Sequence, residues 1–423
     1  MSADERLRRT AEALAYFERD PVPTDPAPSS ADPGAGPAPR HGQPRGLGRR
    51  RWRRLRRLLL LALVGLFGFE LVSYVLFVAQ PSSVPFGVRS VEWVRAHVSS
   101  SFVNEVERVW YLWNAPDKGG STLTGLPIVG VRTPLPGGGA HQASSYWPAR
   151  IAPLIQPALR GEGVWRATGP LVAGAPPVLV TTFRPDPSYP RMVAGVAWID
   201  RARTSLQLYP GRYEPPGSGP RGPMEVPAVR RAALLATFNS GFRLEDGSGG
   251  FVANGSVWKA LQRGLGTVVG QRDGTADVAA WLGPAAPGPS VAFARQNLPL
   301  IVLGGRPNPN LSDGPRWGVT LGNAIRVWRS GLGVDQRGNL IYAAAAQQTA
   351  GSLADIFIHA GAVRAMELDI NYQWVSFISY GRGGGGEPTK LLFGIDHGGT
   401  RYLVPDDRDF FAVYARAPTG TTP

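Results

Sequence analysis

Residues Arg364-Ala365-Met366-Glu367-Leu368-Asp369-Ile370-Asn371 gather the groups best suited to acid–base chemistry in this 423-residue chain. Polar and apolar side chains alternate, which predicts a strand with Met366, Leu368 and Ile370 on one face and Glu367, Asp369 and Asn371 on the other. Two carboxylates so spaced stand roughly 6.5–7 Å apart. They can converge as an acid/base pair, or as oxygen ligands for a divalent cation at Asp369. Their repulsion would raise one pKa and prepare a proton donor. A solvent-facing edge strand without chemistry fits the same pattern.

Other segments offer groups for a polar substrate. Ala294-Arg295-Gln296-Asn297-Leu298 leads into an apolar strand, and Trp328-Arg329-Ser330-Gly331-Leu332-Gly333 opens another. Each sets an arginine among amides, hydroxyls or glycines, a composition suited to gripping phosphate by a guanidinium fork and backbone N–H groups. Phe238-Asn239-Ser240-Gly241-Phe242, followed by Gly249-Gly250-Phe251 and Asn254-Gly255, predicts a loop with amides among aromatic rings, as suits a sugar. Taken singly, each segment is also explained by structural arginines and ordinary turns.

Several chemistries are excluded. The chain has no Cys, which removes thiolate metal sites, iron–sulfur ligation and a cysteine nucleophile. Gly381-Arg382-Gly383-Gly384-Gly385-Gly386 lacks the Lys-Ser/Thr of a Walker loop and reads as a hairpin tip. His41, His97, His141, His359 and His397 show neither an HExxH pair nor zinc spacing. No Gly-x-Ser-x-Gly elbow is present.

Taken together, Asn239-Ser240-Gly241-Phe242, then Arg329-Ser330-Gly331-Leu332-Gly333-Val334-Asp335 with Gly338, then Gly361-Ala362 to Leu368-Asp369, resemble the phosphodiester glycosidase family. That family includes the N-acetylglucosamine-1-phosphodiester alpha-N-acetylglucosaminidase domain and bacterial exopolysaccharide-biosynthesis relatives. The resemblance covers about residues 230–381, and the Arg-Ser-x-x-Gly and Leu-Asp pieces carry most of it. It implies hydrolysis of a sugar joined through phosphate in an envelope glycopolymer. Glu367 and Asp369 would then be the acid/base pair, within the spacing of an inverting enzyme. Arg295 and Arg329 would clamp phosphate, with Asn239, Asn297, Ser330 and Asn371 as substrate-binding or carboxylate-orienting groups. The family usually follows Leu-Asp with a glycine run, whereas here Asp369 precedes Ile370-Asn371-Tyr372-Gln373-Trp374. That departure implies a centre reshaped for another substrate, or lost. The rival expectation is a non-catalytic glycopolymer-binding or assembly protein on the same fold.

The elements that must position these groups are mainly short strands. Residues 177–183, 192–199, 206–209, 234–238, 266–270, 278–282, 300–303 and 339–344 are β-rich runs, separated by turn signals such as Asp273-Gly274 and Arg337-Gly338. Ser352 to Gly361 reads as a helix whose contact face lies over Met366, Leu368 and Ile370. Many strands with few helices predict an α+β domain, a strand-rich mixed sheet over residues 146–415. Val91, Val94, Val98, Phe102, Val106, Val109 and Trp110 form the stripe of one amphipathic helix from Val91 to Trp113, within a juxtamembrane and linker segment of residues 81–145.

The net charge of +14 is unevenly spread, with 13 Arg and seven acidic residues in residues 1–57 and eight arginines between Arg45 and Arg57. Directly after them, residues 58–79 carry only one charged group, Glu70. Twenty-two helical residues span roughly 33 Å, enough for a ~30 Å hydrocarbon core, so residues 58–80 read as a single transmembrane helix in a lipid bilayer. Arginines on its N-terminal flank predict a cytoplasmic N-terminus and an extracytoplasmic C-terminal domain. This gives the cluster a role without nucleic acid, and no nucleic-acid partner is expected. Residues 1–57 read as a disordered, Arg-rich tail, with one short helix at Leu7 to Phe17.

Overall fold

The computed structural model describes residues 47–416, apart from 83, 121–122, 128, 130–146, 248, 313–316, 318–325, 382–387, 393 and 395–397. The expected helix at 7–17, the expected disordered tail before Leu47, most of the linker to His141 and residues 382–386 of the glycine-rich tip lie outside the described residues. So do His41, His141 and His397.

Helix α1 (Leu47–Ala79) begins within the arginine cluster, so residues 47–57 are helical rather than part of an irregular tail. It is long and apolar enough to cross a membrane from Trp52 to Ala79. The single amphipathic helix expected after it is two helices, α2 (Phe86–His97) and α3 (Ser100–Trp113). The break falls at Val98-Ser99, where the Ser99 hydroxyl accepts the Phe102 N–H at 3.1 Å. A serine cap of this kind starts a new helix instead of continuing the old one.

The domain that follows is α+β, with three antiparallel sheets among the described residues. In chain order its strands are β1 (Arg166–Thr168), β2 (Val178–Phe183), β3 (Ala194–Ile199), β4 (Thr204–Tyr209), β5 (Leu234–Asn239), β6 (Phe251–Ala253), β7 (Ser256–Lys259), β8 (Gly266–Gln271) and β9 (Ala276–Ala280). They continue as β10 (Val291–Gln296), β11 (Leu300–Leu303), β12 (Arg306–Pro307), β13 (Val327–Asp335), β14 (Leu340–Gln348), β15 (Ala362–Glu367), β16 (Phe377–Tyr380), β17 (Pro388–Lys390) and β18 (Phe410–Ala415). The large sheet runs β1-β2-β3-β14-β13-β15-β11-β12, and the smaller ones β7-β6-β10-β8-β9 and β17-β16-β5-β18-β4. Asn254-Gly255, expected in a loop, instead turns the β6–β7 hairpin, with φ values of 51° and 73°. Two positive φ values in succession suit the tight turn of a two-residue hairpin.

Every residue of β2 and β3 is buried. One face of the large sheet packs against both small sheets, and one core cluster gathers Leu332 and Met366 with Phe238, Phe411, Val268 and Phe293. Helix α4 (Ala350–His359) covers the other face through Leu353, Ile356 and Phe357, packed with Ala343, Ala345 and Ala365. Met366 and Leu368 therefore face the small sheets, not the helix as expected. The helix needs flat strands beneath it: a Cβ on Gly331 would stand 2.7 Å from the Phe357 ring, and one on Gly333 3.2 Å. Those two glycines seat an aromatic ring, which accounts for them without phosphate.

The start of α4 is a capping box rather than a cap at Ser352. Thr349 accepts the Ser352 N–H at 3.0 Å, and Ser352 Oγ accepts the Thr349 N–H at 2.9 Å. Thr349→Ala is expected to destabilise the domain by about 1 kcal/mol, as such caps typically contribute. A urea-denaturation midpoint shifted by that amount, with unchanged slope, checks it.

Candidate functional site

Strand β15 is not at an edge. It pairs with β13 through Gly331↔Glu367 and with β11 through Leu300↔Met366. Its carboxylates are buried, which overturns the solvent-facing alternative. Glu367 Oε1 accepts a short hydrogen bond from Arg329 Nη1. Arg329 also donates through Nε to the Gln348 carbonyl at 2.9 Å and through Nη1 to the Trp317 carbonyl. Its Nε and Nη1 are thus committed to protein groups, and it stands as the partner of Glu367. Burial pushes the Glu367 carboxyl up, and Arg329 opposes that rise.

Asp369 lies just beyond the strand in a different setting. Its N–H donates to the Ser240 carbonyl at 3.0 Å, and its own carbonyl accepts Ser330 Oγ at 2.7 Å. Its Oδ1 accepts the Asn371 N–H at 2.9 Å, and its Oδ2 accepts Arg408 Nη2 at 2.8 Å. Burial raises its pKa, while Arg408 and the Asn371 N–H pull it down. The expected cause, repulsion between Glu367 and Asp369, is not at work: each carboxylate answers to its own arginine.

Beside Arg408 stands Glu214, 4% exposed, whose Oε1 accepts the Leu244 N–H at 2.8 Å. Burial, followed by the charge of Asp409, pushes its carboxyl up to about 7. Arg408 lowers both Glu214 and Asp369, so one guanidinium links the two acids. Glu214, Arg408 and Trp374 line a cavity of about 660 Å³, within the range of small-ligand sites. Among the described residues, Arg408 Nε is buried there without a hydrogen-bond partner, as are Ser240 Oγ and Asn297 Oδ1. Buried polar atoms left unpaired are uncommon and mark a place where a ligand can complete them.

The remaining expected site residues support this centre from beneath. Asn297 Nδ2 donates to the Glu367 carbonyl at 2.8 Å. Asn239 is saturated: Nδ2 donates to Ser330 Oγ and the Ser240 carbonyl, and Oδ1 accepts Tyr342 Oη and the Ser376 N–H. It ties β5 to β13 and β14 rather than facing a sugar. Arg295 is 1% exposed, with Nε on Asp409 at 2.8 Å and its other nitrogens on the Gln296 and Phe242 carbonyls. Its surroundings serve packing rather than phosphate. Asn371 turns the chain, accepting the Gln373 N–H on Oδ1 at 2.9 Å.

Arg408 and Glu214 were not picked out from the sequence. The readable signal was the run Asp406-Asp407-Arg408-Asp409 just before the apolar strand Phe410-Phe411, four charges with little exposure between them. Among the described residues, no group of three or more His, Asp or Glu is arranged to hold a metal. At Asp369 the cationic Arg408 stands where a divalent ion would need oxygen, so the residues present do not fit a cation there.

The loop Ile370–Trp374 replaces the expected glycine run for a structural reason. Ile370 enters the core under α4, Trp374 packs on Val84 and Val88, and Tyr372 stacks on Trp110 of α3 at 5.7 Å. These side chains fasten the segment after Asp369 to the helices α2 and α3.

No protein-family model matches the chain, and no curated protein does. Its fold is distantly similar to solved structures. One is the zebrafish N-acetylglucosamine-1-phosphodiester alpha-N-acetylglucosaminidase catalytic domain auto-inhibited by its pro-peptide, 14% identical over 60% of this chain and 88% of that one, with a TM-score of 0.39. A hypothetical protein from Synechocystis is 14% identical over 59% of this chain and 65% of its own, with a TM-score of 0.36. An exported protein from Burkholderia pseudomallei is 13% identical over 54% and 75%, with a TM-score of 0.35.

Proposed function

We propose that this chain is a single-pass membrane protein whose outer domain hydrolyses a sugar phosphodiester of a cell-envelope glycopolymer. The observation that carries the reading is the buried Asp369–Arg408 ion pair, whose Arg408 lines a cavity together with Glu214 and Trp374. Arg408, with an unpartnered Nε, supports the assignment of phosphate to this arginine rather than to Arg295 or Arg329. Glu214 is the proton acceptor, since a group titrating near 7 serves best at neutral pH. Asp369, ionised against Arg408, stabilises positive charge at the sugar.

The step is a displacement. The oxygen of water forms a bond to the anomeric carbon, and a water proton passes to Glu214. The bond from that carbon to the phosphate oxygen breaks, and the phosphomonoester leaves with its charge against Arg408. The arginine-flanked helix α1 supports a cytoplasmic N-terminus and a domain outside the cell.

A second reading, a glycan-binding protein without turnover, is favoured by one observation: the bulky Ile370–Trp374 loop stands where open backbone would let a sugar approach. Purified full-length protein incubated with the methyl diester of N-acetylglucosamine 1-phosphate separates the two. Release of the sugar, abolished in Arg408→Ala, is the expected result. Binding of the diester without release, lost in the same variant, would overturn hydrolysis and leave the binding protein.

A further inference from the structure

The cavity beside Arg408 has walls of two kinds. One is charged and belongs to the domain, with Glu214, Arg243 and Arg408. The other is apolar and belongs to α1, with Phe69, Val72 and Leu76. Val72 and Leu76 are 58% and 64% exposed. A water-soluble diester would have no use for a wall of this second kind.

The length of α1 sets the level at which this cavity lies. The 22 residues 58–79 that follow the arginines of α1 extend roughly 33 Å, against a hydrocarbon core of ~30 Å. With Arg53, Arg54, Arg56 and Arg57 among the cytoplasmic headgroups, Phe69, Val72 and Leu76 lie in the outer leaflet and the last turns of the helix reach its headgroup boundary. Those turns are fastened to the domain. Arg89 donates to the carbonyls of Val78 and Gln80 at 2.9 and 2.6 Å, and Arg212 to that of Pro81 at 2.7 Å. Phe77 stacks on Tyr213 at 5.5 Å, next in sequence to Glu214. Asp407, next to Arg408, pairs with both Arg89 and Arg212.

A second feature places the same face at the bilayer. On α3, Phe102, Val106, Trp110 and Trp113 are 61%, 53%, 49% and 78% exposed. Exposed aromatic and aliphatic residues on an amphipathic helix beside a spanning helix match an interfacial anchor. Trp110 is also the residue stacked on Tyr372, three positions after Asp369. The site loop and the anchoring helix are therefore in direct contact.

We propose, resting on the hydrolytic reading above, that the substrate is drawn from the bilayer: a sugar phosphodiester whose other alcohol is a long-chain lipid. The chain lies along Phe69, Val72 and Leu76, in continuity with the surrounding lipid. The phosphate meets Arg408, and the sugar hydroxyls meet the carboxylates of the domain wall. Hydrolysis then releases the free sugar and leaves the lipid monophosphate in the membrane. The lining carries carboxylates (Glu92, Glu214, Glu245, Asp407) as well as arginines (Arg89, Arg243, Arg408). That balance suits a headgroup of many hydroxyls and one phosphate better than a polyanion.

The test uses full-length protein in phosphatidylglycerol/phosphatidylcholine nanodiscs with two diesters of N-acetylglucosamine 1-phosphate, one farnesyl and one methyl. The farnesyl diester is expected to be hydrolysed with at least a tenfold higher kcat/KM. Val72→Trp and Leu76→Trp, which fill the apolar wall, are expected to remove that advantage by lowering turnover of the farnesyl diester far more than that of the methyl diester. Equal turnover of the two diesters, or equal loss on both in the wall variants, overturns the inference and leaves the hydrolase intact. If neither diester is hydrolysed, binding decides. Tenfold tighter binding of the farnesyl diester that Val72→Trp abolishes upholds the lipid site while the hydrolase falls, and equal binding of both diesters overturns the lipid site.

Discussion

Arg329→Met is expected to destabilise the domain by about 3–5 kcal/mol, the usual consequence of leaving a buried charge without its partner. Glu367 is fully buried, its Oε1 is held by Arg329, and its Oε2 has no hydrogen-bond partner among the described residues. Methionine keeps the length of the arginine stem but none of its donors, so Glu367 must either stay charged in a dry interior or take up a proton. For a domain of this size the melting temperature should fall on the order of 10 °C. Adding Glu367→Gln removes the stranded charge, and the double variant should recover most of the loss, since buried pairs replaced by uncharged groups are often close to neutral. A single variant that melts like the wild type would show that the pair does not anchor this part of the sheet. Full rescue in the double variant would identify Glu367 as architecture under Asp369 rather than as half of an acid/base pair.

That distinction shows which parts of this protein local sequence carries. Strands β2, β3, β5, β8, β11 and β14 are legible because each is a short apolar run closed by turn residues. Gly274 and Gly338 adopt φ values of 82° and 80° at the turns expected of them. Helix α4 is legible for the same reason, through its Ser and Gly ends, although its true cap sits three residues earlier at Thr349. The helix break at Val98-Ser99 was hidden because the apolar stripe continues through it. Asp369 was singled out by its place after an alternating strand, but the pairing of charges was not readable. Arg408 reaches Asp369 across 39 residues, and Arg295 reaches Asp409 across 114. Which arginine meets which acid is decided by how the small sheets close on the large one, and no spacing within a segment encodes that.

Asp369→Asn is expected to lower kcat/KM for a sugar-1-phosphodiester by ~10²–10⁴-fold, the range for removing a positioned acid–base or charge-stabilising group. Asparagine is isosteric and can still accept the Asn371 N–H, so binding should change far less than turnover. Glu214→Gln should give a different signature. As proton acceptor, Glu214 must be ionised, and burial holds its carboxyl up to about 7. The wild-type kcat/KM should therefore rise about tenfold per pH unit below 7 and level off above it. Glu214→Gln should be ~10²-fold slower on the plateau, with no inflection near 7; an inflection that survives the substitution would assign the proton to another group. Stability runs the opposite way. The folded pKa of about 7 lies above the ordinary 4.5, so the folded state holds the proton more tightly than the unfolded one. The stabilisation that this neutral form contributes is present in full below pH 4.5 and is lost as pH rises through 7, on the order of 3 kcal/mol in all. Glu214→Gln, uncharged at every pH, should therefore melt above the wild type at pH 8 and level with it at pH 4. The ionised carboxylate that turnover needs is the form that the fold disfavours, so this variant should gain stability at the pH where it loses the most activity.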